Sequence, residues 1–152
     1  MSRKINQAGL SLIKQFEGFE PVAYLCPAGV PTIGYGHTKT VTAQDVRSKR
    51  TISEDEAEAL LMEDVRDAES AVERLITVPL TDNQFSSLVS WTFNLGEWNL
   101  KSSTLRRKLN RGDYQSVPGE MARWVRAGSI TLAGLIRRRK AEGALFASNG
   151  EV

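Results

Sequence analysis

The stretch AYLCPAGVPTIGYGHT, residues 23–38, contains the one cysteine of the chain, Cys26, and its one histidine, His37. Within it, CPAG is typical of a type I turn, with Pro27 at the second position and a glycine at the fourth. The apolar and β-branched residues on either side predict two short antiparallel strands joined by that turn. A hairpin of this kind would let Cys26 and Thr32 face one another across the turn.

An amphipathic helix is predicted directly before the hairpin, from about Asn6 to Glu17. Its apolar residues recur at intervals of three and four positions. Asn6 can cap its first turn and Gly18 can end it. Glu17 stands nine residues before Cys26. A hairpin packed on the end of this helix would therefore bring a carboxyl group close to a thiol.

The rest of the chain is predicted to be mainly helical. Residues 38–52 are expected to complete a small sheet, and a long helix is expected from the SEDE capping box at Ser53 to about Leu75. The segments after it are short helices or a helix interrupted by proline: 81–96, 102–112, a segment broken at Pro118, and a last helix that contains RRRK, residues 137–140. The tryptophans Trp91, Trp98 and Trp124 are assigned to the packing of these helices. The fold class is α+β.

Composition sets limits on the function. The chain has 152 residues, 41% of them hydrophobic, and a net charge of +2, which suits one globular domain and is too weak a charge to indicate nucleic-acid binding. One cysteine with one histidine cannot build a zinc site, so no metal is predicted. No apolar run is long enough for a signal peptide or a membrane span. We therefore expect synthesis in a cytoplasm and no stable membrane insertion.

A carboxyl, a thiol and a hydroxyl around one hairpin suit glycoside hydrolysis. That reaction needs a proton donor for the leaving oxygen and a second group on the other side of the sugar ring. Taken singly, Glu17 is more typical of a solvated charge at a helix end, and Cys26 of a small buried side chain. Only their arrangement together with Thr32 indicates catalysis.

The same residues resemble the active-site signature of phage-type lysozymes, the endolysins of glycoside hydrolase family 24. That signature is Glu, eight residues, Asp, five residues and Thr, followed by Gly-x-Gly-His. Glu17, Cys26 and Thr32 have this spacing, and GYGH follows at residues 34–37. The departure is Cys26 in the place of Asp. The resemblance implies that Glu17 is the general acid and that Cys26 and Thr32 hold the attacking water.

The thiol leaves two chemical alternatives open. Cys26 could help to orient or activate water in an inverting reaction, or it could attack the sugar directly, with retention. An ordinary thiol is only a few per cent thiolate at neutral pH, and a nearby Glu17 carboxylate is expected to lower that fraction. The water-holding role is therefore favoured.

The resemblance also implies a lysozyme-like architecture over residues 1–152 as a single domain. A small β lobe (18–52) is expected to be joined by a linking helix (53–75) to a helical lobe (1–17 and 76–152), with the active-site cleft between the lobes. His37 is expected to form an ion pair with Asp64, and Arg138 to point towards Glu17. The saccharide contacts implied by the resemblance are Thr38, Phe93, Asn94 and Thr104.

The function implied is that of a phage or prophage muramidase. It would act on bacterial peptidoglycan as a monomer without a cofactor, and it would reach the wall from the host cytoplasm through a phage holin. Two alternatives stay open: a catalytically inactive wall-binding protein, and a lytic transglycosylase. A nucleic-acid-binding protein would rest on the basic last helix alone, and no nucleic-acid partner is predicted.

Overall fold

The computed structural model describes residues 2–148. The chain divides into two compact units. The smaller unit is Glu17–Arg66, and the larger unit combines the described residues on either side of it. Among residues 2–148, no helix is both long enough and apolar enough to cross a bilayer.

The first helix, α1 (Gln7–Glu17), has the predicted bounds. Asn6 caps it, because the Asn6 Oδ1 atom accepts a hydrogen bond of 3.0 Å from the Gly9 N–H. Gly18 follows the helix with φ of 76°, a conformation that costs glycine little and other residues more. Local sequence signals therefore set both ends of the helix: Asn6 sets its start, and Gly18 sets its end at Glu17.

The predicted hairpin forms the start of the smaller unit. Strands β1 (Glu20–Leu25) and β2 (Pro31–Gly34) are antiparallel, and Tyr24 pairs with Thr32. The next segment matches the prediction in part: Thr51 forms an antiparallel bridge with Val22, whereas α2 (Ala43–Arg47) forms where further sheet was expected. Its cause is local: the side chains and backbone N–H groups of Thr42 and Asp45 satisfy each other in a capping box.

The helical segment after Ser53 has its predicted start, where Ser53 and Glu56 form a capping box. It is two helices and not one: α3 (Glu54–Asp64) and α4 (Arg66–Leu75). Val65 between them has φ of −76° and ψ of −9°, which is turn geometry, and its side chain is buried. The predicted continuous helix over 53–75 is therefore interrupted at Val65.

The rest of the larger unit consists of helices of different lengths and one small hairpin. In chain order these elements are α5 (Asp82–Leu95), α6 (Glu97–Ser102), α7 (Thr104–Asn110), α8 (Val117–Met121), β3 (Arg126–Ala127), β4 (Ile130–Thr131) and α9 (Ala133–Ala147). The capping box at Thr81 is confirmed. Pro118 does not break a helix; it lies in the first turn of α8, where the missing N–H has no helical partner.

The three tryptophans differ in their surroundings. Trp91 is fully buried on α5, and its ring meets that of Trp124 edge-on at 5.4 Å between centroids. Trp98 is 71% exposed, with the Lys101 ammonium 5.8 Å from its ring. The prediction that all three contribute to packing is wrong for Trp98, because α6 presents that side chain to solvent.

Helix α1 packs closely on α5 at Gly9, and this contact yields a stability prediction. A Cβ atom on Gly9 would lie 2.7 Å from the Ser86 Cβ and 2.8 Å from the Ile5 Cγ1. The Ser86 Cβ cannot rotate away, so Gly9→Ala should lower the free energy of unfolding by about 1–3 kcal/mol. Urea denaturation measures this loss.

The matched control is Gly119→Ala in α8, where an added Cβ would have no described atom within 4 Å. We expect this variant to be unchanged, or stabilised by up to about 1 kcal/mol through helix propensity. Equal losses in the two variants would contradict close packing at Gly9.

Candidate active site

The hairpin turn holds Cys26 among hydrogen-bond donors. The Cys26 carbonyl accepts from the Gly29 N–H at 2.7 Å, and the Cys26 N–H donates to the Val30 carbonyl at 3.0 Å. With Gly29 at φ of 79°, this is a type I turn followed by a glycine bulge, and it bends the backbone around the sulfur. The predicted CPAG turn is confirmed.

This turn changes the acidity of the thiol. The backbone N–H groups of Val30 and Ala28 lower the pKa of Cys26 against the opposing effect of partial burial, and the neighbouring Thr32 side chain adds to this lowering. From the sequence we expected a raised pKa for Cys26, because a nearby Glu17 carboxylate would disfavour a second negative charge. The effect that opposes the donors is burial, and the donors of the turn outweigh it.

Thr32 pairs with Tyr24 across the hairpin, on the strand opposite the one that leads into Cys26. Its side chain is buried, and its Oγ1 atom donates a hydrogen bond of 2.8 Å to the Val30 carbonyl. The same hydroxyl is close enough to the Cys26 sulfur to help lower the pKa of the thiol. Thr32 is thus held between the turn backbone and the thiol, and its hydroxyl lies beside the group that could accept a proton.

Glu17 is the last residue of α1, and its carboxylate lies against the backbone of Gly36. Gly36 belongs to a tight turn in which Ile33 and His37 exchange two backbone hydrogen bonds of 2.9 Å. A Cβ atom on Gly36 would lie 2.9 Å from the Glu17 Oε1. The second glycine of GYGH therefore makes room for the predicted acid.

The phenol of Tyr24 lies near two of the predicted catalytic residues, Glu17 and Cys26. Burial raises the pKa of Tyr24, and the negative charges of Glu20, Cys26 and Glu17 raise it further. Glu17 and Cys26 are therefore within electrostatic reach of one hydroxyl group. Sequence reasoning missed Tyr24; the available signal was its position two residues before Cys26, on the same side of an extended strand.

Gly36→Ala should strongly reduce activity. Its φ of 77° strains any residue with a Cβ, and that Cβ would displace the Glu17 carboxylate. The control is Gly112→Ala. Gly112 has φ of 90°, and no described atom lies within 4 Å of the position of an added Cβ. It carries similar strain without contact to Glu17. Comparable activity of the two variants in a peptidoglycan-clearing assay would contradict the positioning of Glu17 by Gly36.

The acidity of Cys26 predicts its reactivity. Because the folded pKa is lowered, the rate of iodoacetamide labelling should rise at lower pH in the folded protein than in urea. By linkage, the thiolate contributes stability above the unfolded pKa, and that contribution is lost as pH falls through the folded pKa. Thr32→Val should move the folded midpoint upwards. Coincident labelling midpoints in folded and unfolded protein would rule out the lowered pKa.

His37 contacts Asp64, as predicted, with 2.7 Å between Nδ1 and Oδ2. The other ring nitrogen, Nε2, receives the Thr40 N–H at 3.3 Å and lies 2.6 Å from the Thr40 hydroxyl. The contact has the geometry of the predicted pairing of His37 with Asp64, and a second cation, Lys39, has its Nζ atom 3.8 Å from the Asp64 Oδ1.

The four predicted saccharide contacts occur in both units. Thr38 is exposed in the smaller unit. In the larger unit Asn94 is exposed, Phe93 and Thr104 are half-buried, and the Thr104 hydroxyl accepts a hydrogen bond of 2.9 Å from Arg107. Their role as sugar contacts stays a prediction.

The RRRK run divides between solvent and interior. Arg138 and Arg139 are buried, whereas Arg137 and Lys140 are exposed. Arg138 donates to the Glu142 carboxylate at 3.1 Å and to the Ser90 carbonyl at 3.2 Å. The run therefore does not form one solvated face, and the orientation of Arg138 towards Glu17 stays a prediction.

Glu142 is a buried residue that the sequence interpretation overlooked. It pairs with Arg138 and Arg139, four and three residues before it on α9. That spacing on a helix was the available signal. Among the described residues, no cluster of His, Cys, Asp and Glu has the composition of a metal site.

Comparison with known proteins agrees with this geometry. The profile of the family described as phage lysozyme matches residues 14–142. The chain is 44% identical to an endolysin of Acyrthosiphon pisum secondary endosymbiont phage 1, over 95% of this chain and 98% of that protein. It is 42% identical to an endolysin of Bacillus phage B103, over 93% of this chain but only 53% of that longer protein.

A solved structure gives the same result for the fold. The muramidase domain of SpmX from Asticaccaulis excentricus has a TM-score of 0.88 and 38% identity, over 96% of this chain and 99% of that one. The lysozyme-like α+β fold is thereby confirmed. The chain belongs to the phage lysozyme family and is a glycoside hydrolase of the muramidase type.

Proposed function

We propose that this muramidase is a phage or prophage endolysin that hydrolyses the β-1,4 bond between N-acetylmuramic acid and N-acetylglucosamine and thereby lyses its host. The observation that carries this proposal is the hairpin site. Glu17, Cys26 and Thr32 belong to one compact unit, Gly36 lies against Glu17, and Thr32 helps to lower the pKa of the Cys26 thiol.

Glu17 is the proposed general acid. Its proton passes to the glycosidic oxygen as the bond from that oxygen to the anomeric carbon breaks. Its place at the end of α1, in the same compact unit as Cys26 and Thr32, supports this role. The close backbone of Gly36 fixes the direction of the carboxylate.

Cys26 is the proposed base. Its thiolate takes one proton from a water molecule whose oxygen bonds to the anomeric carbon, and Thr32 orients that water. The lowered pKa of Cys26 supports this role, since it increases the fraction of thiolate near neutral pH. The thiol then returns its proton through solvent, and the glutamate is protonated again. The product is inverted, as the attack comes from the face opposite the leaving group.

The remaining features of the proposal come from the family. Thr38, Phe93, Asn94 and Thr104 contact the saccharide, and Arg138 is directed at the acid. The enzyme acts as a monomer without a cofactor. It is made in the host cytoplasm and depends on a phage holin to reach the wall.

Product analysis tests this reaction directly. Purified peptidoglycan is digested, the anomeric configuration is followed by proton NMR at early times, and product masses are recorded. We expect an inverted α-anomer with one water added. A β-anomer would instead indicate direct attack by sulfur. Anhydro-sugar ends, lighter by one water, would identify a lytic transglycosylase, and binding to cell walls without any product would identify an inactive wall-binding protein.

A further inference from the structure

Arg139 has a buried guanidinium group, and three hydrogen-bond acceptors surround it. It is 1% exposed on α9. Its Nε donates to the Trp124 carbonyl at 2.8 Å, its Nη1 to the Glu142 carboxylate, and its Nη2 to the Asn94 Oδ1. Because a guanidinium group only donates, each of these three partners must present an oxygen to it.

This contact determines the orientation of the Asn94 side chain. With Oδ1 facing Arg139, the amide nitrogen Nδ2 faces the opposite way. Asn94 is exposed in the last turn of α5. Among residues 2–148, none accepts a hydrogen bond from Asn94 Nδ2. Asn94 therefore offers two N–H donors to whatever approaches it, and its acceptor is already occupied.

Glu142 holds Arg139 in this position. Its carboxylate is fully buried; Oε1 accepts from Arg139, and Oε2 accepts from Arg138 and, at 2.6 Å, from the Ser90 hydroxyl. Separating Arg139 from this carboxylate would leave a buried guanidinium charge without its ionic partner, which is strongly unfavourable. The guanidinium group is therefore a rigid support for the amide of Asn94.

We propose that Arg139 is a positioning residue that turns the Asn94 amide N–H groups towards the substrate, so that this position recognises an acceptor oxygen of the glycan and not a donor. The inference rests on the proposed function, in which Asn94 contacts the saccharide. Peptidoglycan offers such acceptors as amide carbonyl oxygens, which occur in the acetamido groups of the sugars and in the stem peptide.

The first test exchanges donors for an acceptor at Asn94. Asn94→Asp keeps an oxygen for Arg139 but removes both N–H groups, whereas Asn94→Ala removes everything beyond Cβ. On solubilised peptidoglycan we expect Asn94→Asp to raise KM about tenfold, at least as much as Asn94→Ala, with little change in kcat. A wild-type KM for Asn94→Asp, in an enzyme that digests peptidoglycan, would overturn this inference alone.

The second test asks whether Arg139 acts through Asn94. Arg139→Lys keeps the charge beside Glu142 but cannot span three acceptors, so KM should rise. In an Asn94→Ala background the same change should have no further effect on KM; additive effects would show that Arg139 acts elsewhere. Ser87→Ala is the stability control, because Ser87 donates to the Glu142 carbonyl at 2.6 Å without touching Asn94. It should lower Tm and leave KM unchanged.

A measurement on the wild-type protein keeps the test independent of variant folding. The side-chain amide resonance of Asn94 is followed by nitrogen-15 NMR during titration with a trimer of N-acetylglucosamine, and separately with a disaccharide-peptide fragment of peptidoglycan. A shift with the trimer identifies an acetamido carbonyl, and a shift with the peptide-bearing fragment alone identifies a peptide carbonyl. No shift with either would overturn the inference. If the wild-type protein did not hydrolyse peptidoglycan at all, the proposed function would be overturned instead.

Discussion

Glu17→Gln should reduce peptidoglycan hydrolysis about a thousandfold while leaving the fold intact. Gln has nearly the same shape as Glu and can occupy the space beside Gly36, but its amide cannot supply a proton to the leaving oxygen. Loss of a positioned general acid typically costs two to four orders of magnitude in rate. The rate of turbidity decrease of a cell-wall suspension measures the effect.

The control for this change is Glu20→Gln, which neutralises an exposed carboxylate three residues further along the chain. Both carboxylates raise the pKa of Tyr24, so both changes alter the local charge in the same direction. Only Glu17→Gln should abolish clearing, and thermal denaturation should show similar stability for the two variants. Equal activity of the two variants would remove Glu17 from the proposed mechanism.

Cys26→Ala should lower the rate about a hundredfold, because it removes the proposed base but leaves the acid in place. Cys26→Asp should keep the rate within about tenfold of the wild type, since a carboxylate is ionised at neutral pH and can accept the same proton. The turn donors that lower the pKa of the thiol can also hydrogen-bond a carboxylate. The same clearing assay measures both variants.

Cys26→Ser separates the two roles of the sulfur. A serine hydroxyl can orient water but stays protonated near neutral pH, so it cannot act as a base. We expect it to resemble Cys26→Ala. If Cys26→Ser were as active as the wild type, orientation alone would be sufficient. Full activity of Cys26→Ala would show that the sulfur has no essential role.

Elements whose signals lie within a few residues could be predicted from the sequence. The caps at Asn6, Ser53 and Thr81, the CPAG turn and the hairpin all depend on neighbouring groups. The short elements were harder. Helix α2 lies in a region rich in Thr and Val, whose composition favours strands, yet its capping box decided the outcome. The strands β3 and β4 have two residues each and leave no periodic pattern.

The candidate site likewise combines features that the sequence predicts with features that it does not. The spacing of Glu17, Cys26 and Thr32 predicted a joint site, and His37 predicted a contact with Asp64 that the structure contains. The acidity of Cys26 could not be derived in that way. It depends on which backbone N–H groups surround the side chain, and a sequence pattern carries no such information.

The sequence by itself determined the identity and order of the catalytic candidates. It also determined the local turns and helix caps that position them, because these depend on groups a few positions apart. Only the tertiary structure decided the rest. It lowered the pKa of Cys26 through the donors of the turn, and it buried Arg138 and Arg139 around Glu142. It also directed the amide of Asn94 through a contact with a residue 45 positions away. The physical reason is that charge, burial and hydrogen bonding act through space, and distances in space between remote residues exist only once the chain has folded.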